Sequence, residues 1–456
     1  MKVSLLSVVL VASSMLLGCG GAMEATIVAA PEAVTLAEAE EVGAEPFGSV
    51  ESTVLYMTPA QVRTRYGFDS LPNTPAAQGS GQLIAIISAY NNPDLAANLQ
   101  AFSAKYNLPQ CTTVPTVYTQ LPTGYTGTTV SHPPTGRGCT LQVINVDSFG
   151  RVTKMVPQGG PATAPWMMES TMDIEWAHAI APQASILVIQ APSIFVGALG
   201  NAAKYASSVG ADVVSMSWGV NETSQQCTRK PGQPTVKYVS TCDDAATAAK
   251  YWQTVDTMFA GSATFVAASG DRAVLQWPSI SPKVMAVGGT NAYGPAGKDT
   301  AWPLSGGGVS KSFPAPSWQA NHMKAANRNV PDVSLVAGTP VAVYIKPNAK
   351  TGFDDSTCVA AKGESGCGWY GGGGTSAAAP MWAGIVAITN AMRIAGSMKS
   401  TEFVSSLYTN VASVRGTYAS SLDDVIVGAH ANEGYDISTG LGVPNANNLI
   451  NYMASR

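Results

Sequence analysis

The densest concentration of chemically useful residues lies at 371–392, GGGGTSAAAPMWAGIVAITNAM, around Ser376. Four glycines remove every side chain that could block a backbone or a substrate. A Thr-Ser pair, small residues, Pro380 and an apolar run at helical spacing follow. This pattern predicts a serine presented at the start of a buried helix. Unpaired amides of the first turn and the positive end of the helix dipole can stabilise negative charge beside Ser376 Oγ. A serine hydroxyl is a weak nucleophile and needs a base within reach. The same pattern suits a glycine-rich loop whose serine merely caps a helix, and the stretch alone leaves nucleophile and cap open.

A histidine is the first base to test, since a Gly-Thr-Ser at a helix start invites a Ser-His-Asp relay. The four histidines are His132, His178, His322 and His430, and none stands in the His-Gly-Thr context that subtilisins use. The first strand ends in Ile87-Ser88, where those enzymes place their aspartate. Both partners are missing. Carboxylates offer another route. Glu169 and Asp173, in MMESTMDIEWAHAIAP, are four residues apart, so on a helix they lie about 40° apart on one face. His178 falls on roughly the opposite side. Two carboxyls on one face can share a proton, which raises the affinity of one of them for it, and such a pair could take the Ser376 proton in acid. Most such pairs are solvated helix faces, but Ile174, Trp176, Ala177, Ile180 and Ala181 give this helix an apolar flank. Asp271, in AASGDR after an apolar run, reads either as a turn residue or as an oxyanion donor. As a donor it must be protonated, which needs a pH near or below ~3.9 unless burial helps.

These residues need a frame. Apolar runs at 81–88, 141–146, 185–190, 212–217, 263–268 and 283–287 predict strands, and 94–106, 166–180, 196–208 and 243–259 predict helices. Continuously apolar strands alternating with helices imply an α/β fold with a parallel sheet covered on both faces. Ligands bind such sheets beyond the carboxyl ends of the strands, where Ser217-Trp218-Gly219 and Ser269-Gly270-Asp271 stand. The Thr/Pro/Gly-rich segment 111–138 predicts a long surface loop.

Taken in order, Glu169-x-x-x-Asp173, Ser217-Trp218-Gly219, Ser269-Gly270-Asp271 and Gly374-Thr375-Ser376-x-x-x-Pro380 resemble the sedolisin family of serine-carboxyl peptidases. TPAQVRTRYGF near residue 58, VGGTNAYG, AWPLSGGGVS and VPDVSLVA agree with it, so the likeness runs from about residue 55 to the C-terminus. It implies a subtilisin-like three-layer sandwich around a mainly parallel sheet. Ser376 would be the nucleophile, Glu169 its general base and acid, Asp173 the residue that tunes Glu169, and Asp271 the oxyanion donor with the Ser376 amide. Ser217, Trp218 and Gly219 would form a wall of the substrate cleft, or simply a strand end with a core tryptophan. The resemblance also implies one structural Ca²⁺, held by the side chains of Asp424 and Asp436 and the carbonyls of Val425, Asn432 and Gly434, a hard oxygen set. The alternative there is a calcium-free turn. Three departures stand out: Gly373 replaces a usual serine, Ser88 stands where some members carry an acidic relay residue, and the family's large pro-domain is not expected.

Composition bounds the rest. The chain has 456 residues, a formal net charge of −4 and 12% charged residues, about half the roughly 25% of ordinary soluble proteins. Mild acidity gives no reason to expect nucleic acid as a partner. A surface with few carboxylates changes charge little in acid, which suits an exported protein. Lys2 precedes an apolar run from Val3 to Leu17 that fits a signal peptide rather than a membrane span. Residues 1–18 are therefore expected as a lipoprotein-type signal peptide ending at a lipobox, with lipid on Cys19. Ordinary cleavage near Ala22 or Ala25 is the alternative. Residues 19–50 read as a flexible acidic tether and 51–456 as the peptidase domain. Six further cysteines suggest neighbouring disulfides 111–139, 227–242 and 358–367. The sum is a secreted or outer-membrane-anchored monomeric endopeptidase acting on protein or peptide substrates in acid. The rival is a catalytically silent binding or adhesion protein on the same scaffold.

Overall fold

The apolar runs form a ten-stranded sheet. In chain order its strands are β1 (Leu83–Ala89), β2 (Thr112–Thr113), β3 (Thr140–Val146), β4 (Val152–Thr153), β5 (Ser185–Ala191), β6 (Val213–Met216), β7 (Thr264–Ala268), β8 (Val284–Asn291), β9 (Thr300–Ala301) and β10 (Val333–Val336). This computed structural model describes residues 56–120, 128–130, 138–158, 163–222, 245–347, 368–395 and 402–456. The expected signal peptide, tether and Cys19 lie outside them, as do Cys227, Cys242, Cys358 and Cys367.

The spatial order is β9-β8-β7-β6-β1-β5-β3-β2, with β10 also on β8 and β4 on β3. All pairings are parallel except β8–β9 and β3–β4. β1 shows why the strands read as unbroken apolar runs. Ile84 and Ile86 face one core together with Ile186 and Val188, and Leu83, Ala85 and Ile87 face a second with Leu187 and Ile189. Burial on both faces removes any polar alternation. The first core is roofed by helices α1 (Leu95–Lys105), α2 (Thr163–Ile180) and α5 (Thr375–Ala395), the second by α3 (Val196–Ser208) and α4 (Ala245–Val255). The three-layer arrangement expected from the sequence is present.

One expectation changes and one element is added. The segment after Cys111 does not stay a surface loop: Thr112 and Thr113 join the sheet as β2. The Cys111–Cys139 disulfide and the Thr112 amide on the Cys139 carbonyl, 2.9 Å, hold them beside β3. A hairpin of β11 (Val341–Tyr344) and β12 (Trp369–Gly372) leads directly into α5. Its strands are four residues each and the second ends in two glycines, so they carry little periodicity. Among the described residues no helix is long and apolar enough to cross a membrane.

Candidate active site

α5 begins at Thr375, and its first turn is shaped by what precedes and follows it. Gly374 takes φ +82°, a left-handed value that disfavours any side chain. A Cβ there would also collide with the Asp271 carboxyl. The close approach lets Asp271 Oδ1 accept from both the Thr375 amide and the Thr375 hydroxyl, each at 2.8 Å. The same hydroxyl oxygen accepts the Gly270 amide at 3.0 Å. Asp271, at the end of β7, is thereby locked onto the helix start beside Ser376.

Pro380 acts from the other side. In a helix the amide of residue 380 would bond the carbonyl of residue 376, and proline has no such amide. The Ser376 carbonyl is instead met by Ser217 Oγ at 3.1 Å. Ser217 Oγ also lies 2.6 Å from Asp173 Oδ1. One hydroxyl proton cannot serve two acceptors. The contact is fully satisfied when Asp173 carries a proton and donates to Ser217 Oγ, leaving the Ser217 proton for the Ser376 carbonyl. Burial pushes the Asp173 carboxyl well above its ordinary range, with Ser217 opposing, and so favours that state.

Glu169 and Asp173 lie one turn apart on α2, 1% exposed each. Glu169 is held far above the usual carboxyl range, first by burial, next by Asp173; Ser376 opposes and Asp271 adds to it. Ser376 Oγ thus sits within electrostatic reach of Glu169, although both Glu169 oxygens and Ser376 Oγ lack a well-formed hydrogen bond. Apo catalytic contacts are often loose in this way. Asp271 is raised too, by burial first, against the Thr375 bonds and Arg272. Its Oδ2 is buried without a partner, so it is available to a ligand.

The four sequence-selected residues Glu169, Asp173, Asp271 and Ser376 therefore meet. His178 points away from them: its Nε2–H donates to the Pro109 carbonyl at 2.7 Å, and its Nδ1 lies 3.4 Å from Cys111 Sγ. Ser88, at the end of β1, is buried. At the expected cleft wall the side chains turn inward. Ser217 is 1% exposed and lies between Asp173 and the helix start. Trp218, also 1% exposed, donates its Nε1–H to the Ile87 carbonyl at 3.2 Å inside the second core. Gly219 is buried against the Gln276 side chain. The strand-end reading describes these side chains, because a tryptophan after β6 has an apolar core to enter. Thr375 was missed as a functional candidate, yet its hydroxyl ties Asp271 to Gly270; its place beside Ser376 was the available signal.

The five residues selected for calcium sit at 424–436. Asp424 Oδ1 is buried without a well-formed hydrogen bond, the Tyr418 hydroxyl being within reach of the carboxyl, while Oδ2 accepts the Gly434 amide at 2.6 Å. Asp424 is raised above its usual range by burial, with Asp436 and Glu433 adding like charge. Asp436 Oδ1 accepts the Ser438 and Thr439 amides at 2.7 and 2.8 Å, and Oδ2 accepts the Thr439 hydroxyl at 2.7 Å. A carboxylate oxygen without a well-formed hydrogen bond, beside like charge, fits a hard divalent cation. Asp436 would serve it with oxygens already engaged in its own turn.

The model of the Peptidase_S8 subtilase family matches residues 160–435. Kumamolisin of Bacillus sp. (strain MN-32) is 31% identical over 278 residues, covering 55% of this chain and 43% of the relative. Tripeptidyl-peptidase sed4 of Aspergillus fumigatus is 28% identical over 208 residues, covering 37% of this chain and 31% of the relative. The chain spans less than half the length of these curated relatives. A Pseudomonas sedolisin, described as a serine-carboxyl proteinase complexed with pseudo-iodotyrostatin, superimposes with TM-score 0.60 at 22% identity, covering 89% of this chain and all of that one. That likeness is one of fold.

Proposed function

The chain belongs to the subtilase family of peptidases, and from that premise we propose that it is a serine-type endopeptidase of the sedolisin branch with an acidic optimum. The observation that carries the reading is the convergence of the buried Glu169 and Asp173 carboxyls and the half-buried Asp271 on one serine at a helix start. In this reading Ser376 Oγ attacks the scissile carbonyl carbon while its proton passes to Glu169, forming a tetrahedral oxyanion. Protonated Asp271, through its free Oδ2, and the Ser376 amide donate to that oxyanion. Glu169 then returns the proton to the leaving amine, and the C–N bond breaks to give an acyl-enzyme. Water, deprotonated by Glu169, hydrolyses the ester and restores the serine. Glu169 and Asp173 titrate as a pair and must hold one negative charge between them, whereas Asp271 must stay neutral. Activity therefore rises as the pair first ionises and falls as Asp271 loses its proton.

Calcium is part of the proposal: Asp424 and Asp436 would hold it with the carbonyls of Val425, Asn432 and Gly434. The ion would supply the positive charge that those carboxylates lack. Export and lipid attachment at Cys19 complete it, placing the enzyme outside the cytoplasm against protein or peptide substrates. The test is hydrolysis of an unfolded protein across about pH 3 to 8, a range spanning carboxyl titration, for wild type and Ser376→Ala. Acid-optimal cleavage lost in the variant is expected. Absence of cleavage by folded, calcium-supplied wild type would overturn the reading and favour a binding protein on this scaffold.

A further inference from the structure

Glu175 is a buried acid that the reaction does not use. It lies on α2 two residues beyond Asp173, about 200° further round the helix, and is 0% exposed. Its Oε2 accepts the Tyr344 amide of β11 at 3.0 Å, and its Oε1 has no partner. Its neighbour Trp176 donates Nε1–H to the Ala342 carbonyl of the same strand at 2.8 Å. Across the hairpin, Gly372 of β12 packs on Met172 of α2 so closely that a Cβ would overlap its sulfur. Ser376 is four residues further along the chain. One joint thus links the helix carrying Glu169 and Asp173 to the strand pair that delivers the nucleophile.

The groups around this joint do not neutralise an ionised Glu175. On α2 itself stand Asp173 and His178, the latter held by the Pro109 carbonyl. The packed elements bring Lys105 of α1, set over the Trp369 ring, and Lys346, paired with Asp94 at 3.3 Å. They also bring Tyr344 and Tyr370 of the hairpin, and Arg63, which donates to the Ala179 and Ile180 carbonyls at 3.3 and 3.1 Å. Burial lifts the Glu175 carboxyl well above its ordinary range, and the Tyr344 amide alone opposes it.

We propose that Glu175 is a positioning residue: as a neutral acid it fixes α2 to β11, and its ionisation on the alkaline side unlocks the joint. An acid whose folded form holds its proton more tightly than the unfolded chain costs nothing below about pH 4.3, and stability is lost as pH rises from there through the folded value. The catalytic consequence rests on the peptidase reading; the joint itself does not.

The experiment compares wild type and Glu175→Gln, which cannot ionise but keeps a carbonyl for the Tyr344 amide. Alkaline unfolding is followed by tryptophan fluorescence without substrate. The variant is expected to unfold at a pH higher by about half a unit or more. An unchanged midpoint overturns the proposal. Should the variant not fold, wild type decides by amide exchange: protection at 341–344 must fall at a lower pH than protection in β1, and simultaneous loss overturns the proposal. If proteolysis is confirmed, Glu175→Leu should lower kcat about tenfold with KM little changed, about 1.4 kcal/mol, and Glu175→Gln should recover it. Failure of proteolysis leaves the unfolding result intact, so the two ideas fail separately.

Discussion

Asp271 is the residue at which position and protonation can be separated. Its Oδ1 is spent on holding the Thr375 amide and hydroxyl, and its Oδ2 is left without a partner. Asparagine can reproduce both halves, since its carbonyl accepts from Thr375 and its amide nitrogen donates at the vacant position without any proton to lose. Asp271→Asn should therefore retain a large share of activity and lose the alkaline fall of the kcat profile. Asp271→Ala keeps neither half and should cost about 10²–10³ in kcat, the usual magnitude for an oxyanion donor. If Asp271→Asn shows the wild-type alkaline limb, that limb belongs to another group and the donor role fails. The candidate cluster was legible in sequence because each member stood in a short distinctive string. What stayed hidden was partnership: nothing in Ser217-Trp218-Gly219 says that the serine hydroxyl turns inward to Asp173 while the tryptophan enters the opposite core.

At the scale of elements, the start of α5 is held by a hydrogen bond that the helix itself cannot make. Pro380 withholds the amide that would have bonded the Ser376 carbonyl, and Ser217 at the end of β6 occupies that carbonyl instead. Helix and sheet are thereby tied at the nucleophile. Pro380→Ala supplies a competing amide and should loosen this tie, whereas Ser217→Ala abolishes it and also strips Asp173 of its partner. Both variants should fold and both should lower kcat more than they raise KM, with Ser217→Ala the more severe. A net buried hydrogen bond is worth about 1 kcal/mol and an abandoned acceptor about 1–3 kcal/mol, so the expected losses run from a few-fold to about a hundredfold. A wild-type kcat for Ser217→Ala would show that Asp173 needs no such support. The strands of the sheet were legible because burial on both faces leaves continuous apolar runs. β2 and the β11–β12 hairpin were not, because two threonines or a tetrapeptide ending in two glycines acquire strand geometry only from their partners.

The whole molecule concentrates uncompensated acids in a chain with only 29 Asp and Glu. Glu169, Asp173 and Glu175 are all raised by burial on one helix, and Asp424 and Asp436 are raised, burial first, in one loop. Each contributes in the same direction: stability is greatest in acid and declines as pH rises above the unfolded carboxyl value of about 4. His178 runs opposite, since burial lowers it to about 4, and it costs stability as pH falls below about 6.5. The loop differs from the helix in having a remedy, because a bound cation would relieve the repulsion between Asp424 and Asp436. That gives the calcium proposal a signature beyond simple stabilisation. Burial raises both loop acids, so they carry less negative charge near pH 4 than near pH 7. Chelation should therefore lower the melting temperature less near pH 4 than near pH 7, with recovery on adding Ca²⁺. Asp424→Asn should shrink that pH 7 difference by removing one of the repelling charges. Thermal scans with and without chelator at the two pH values decide the matter: equal shifts at both would point to a calcium site elsewhere, and no shift at either would leave residues 424–436 as a turn closed by its own hydrogen bonds.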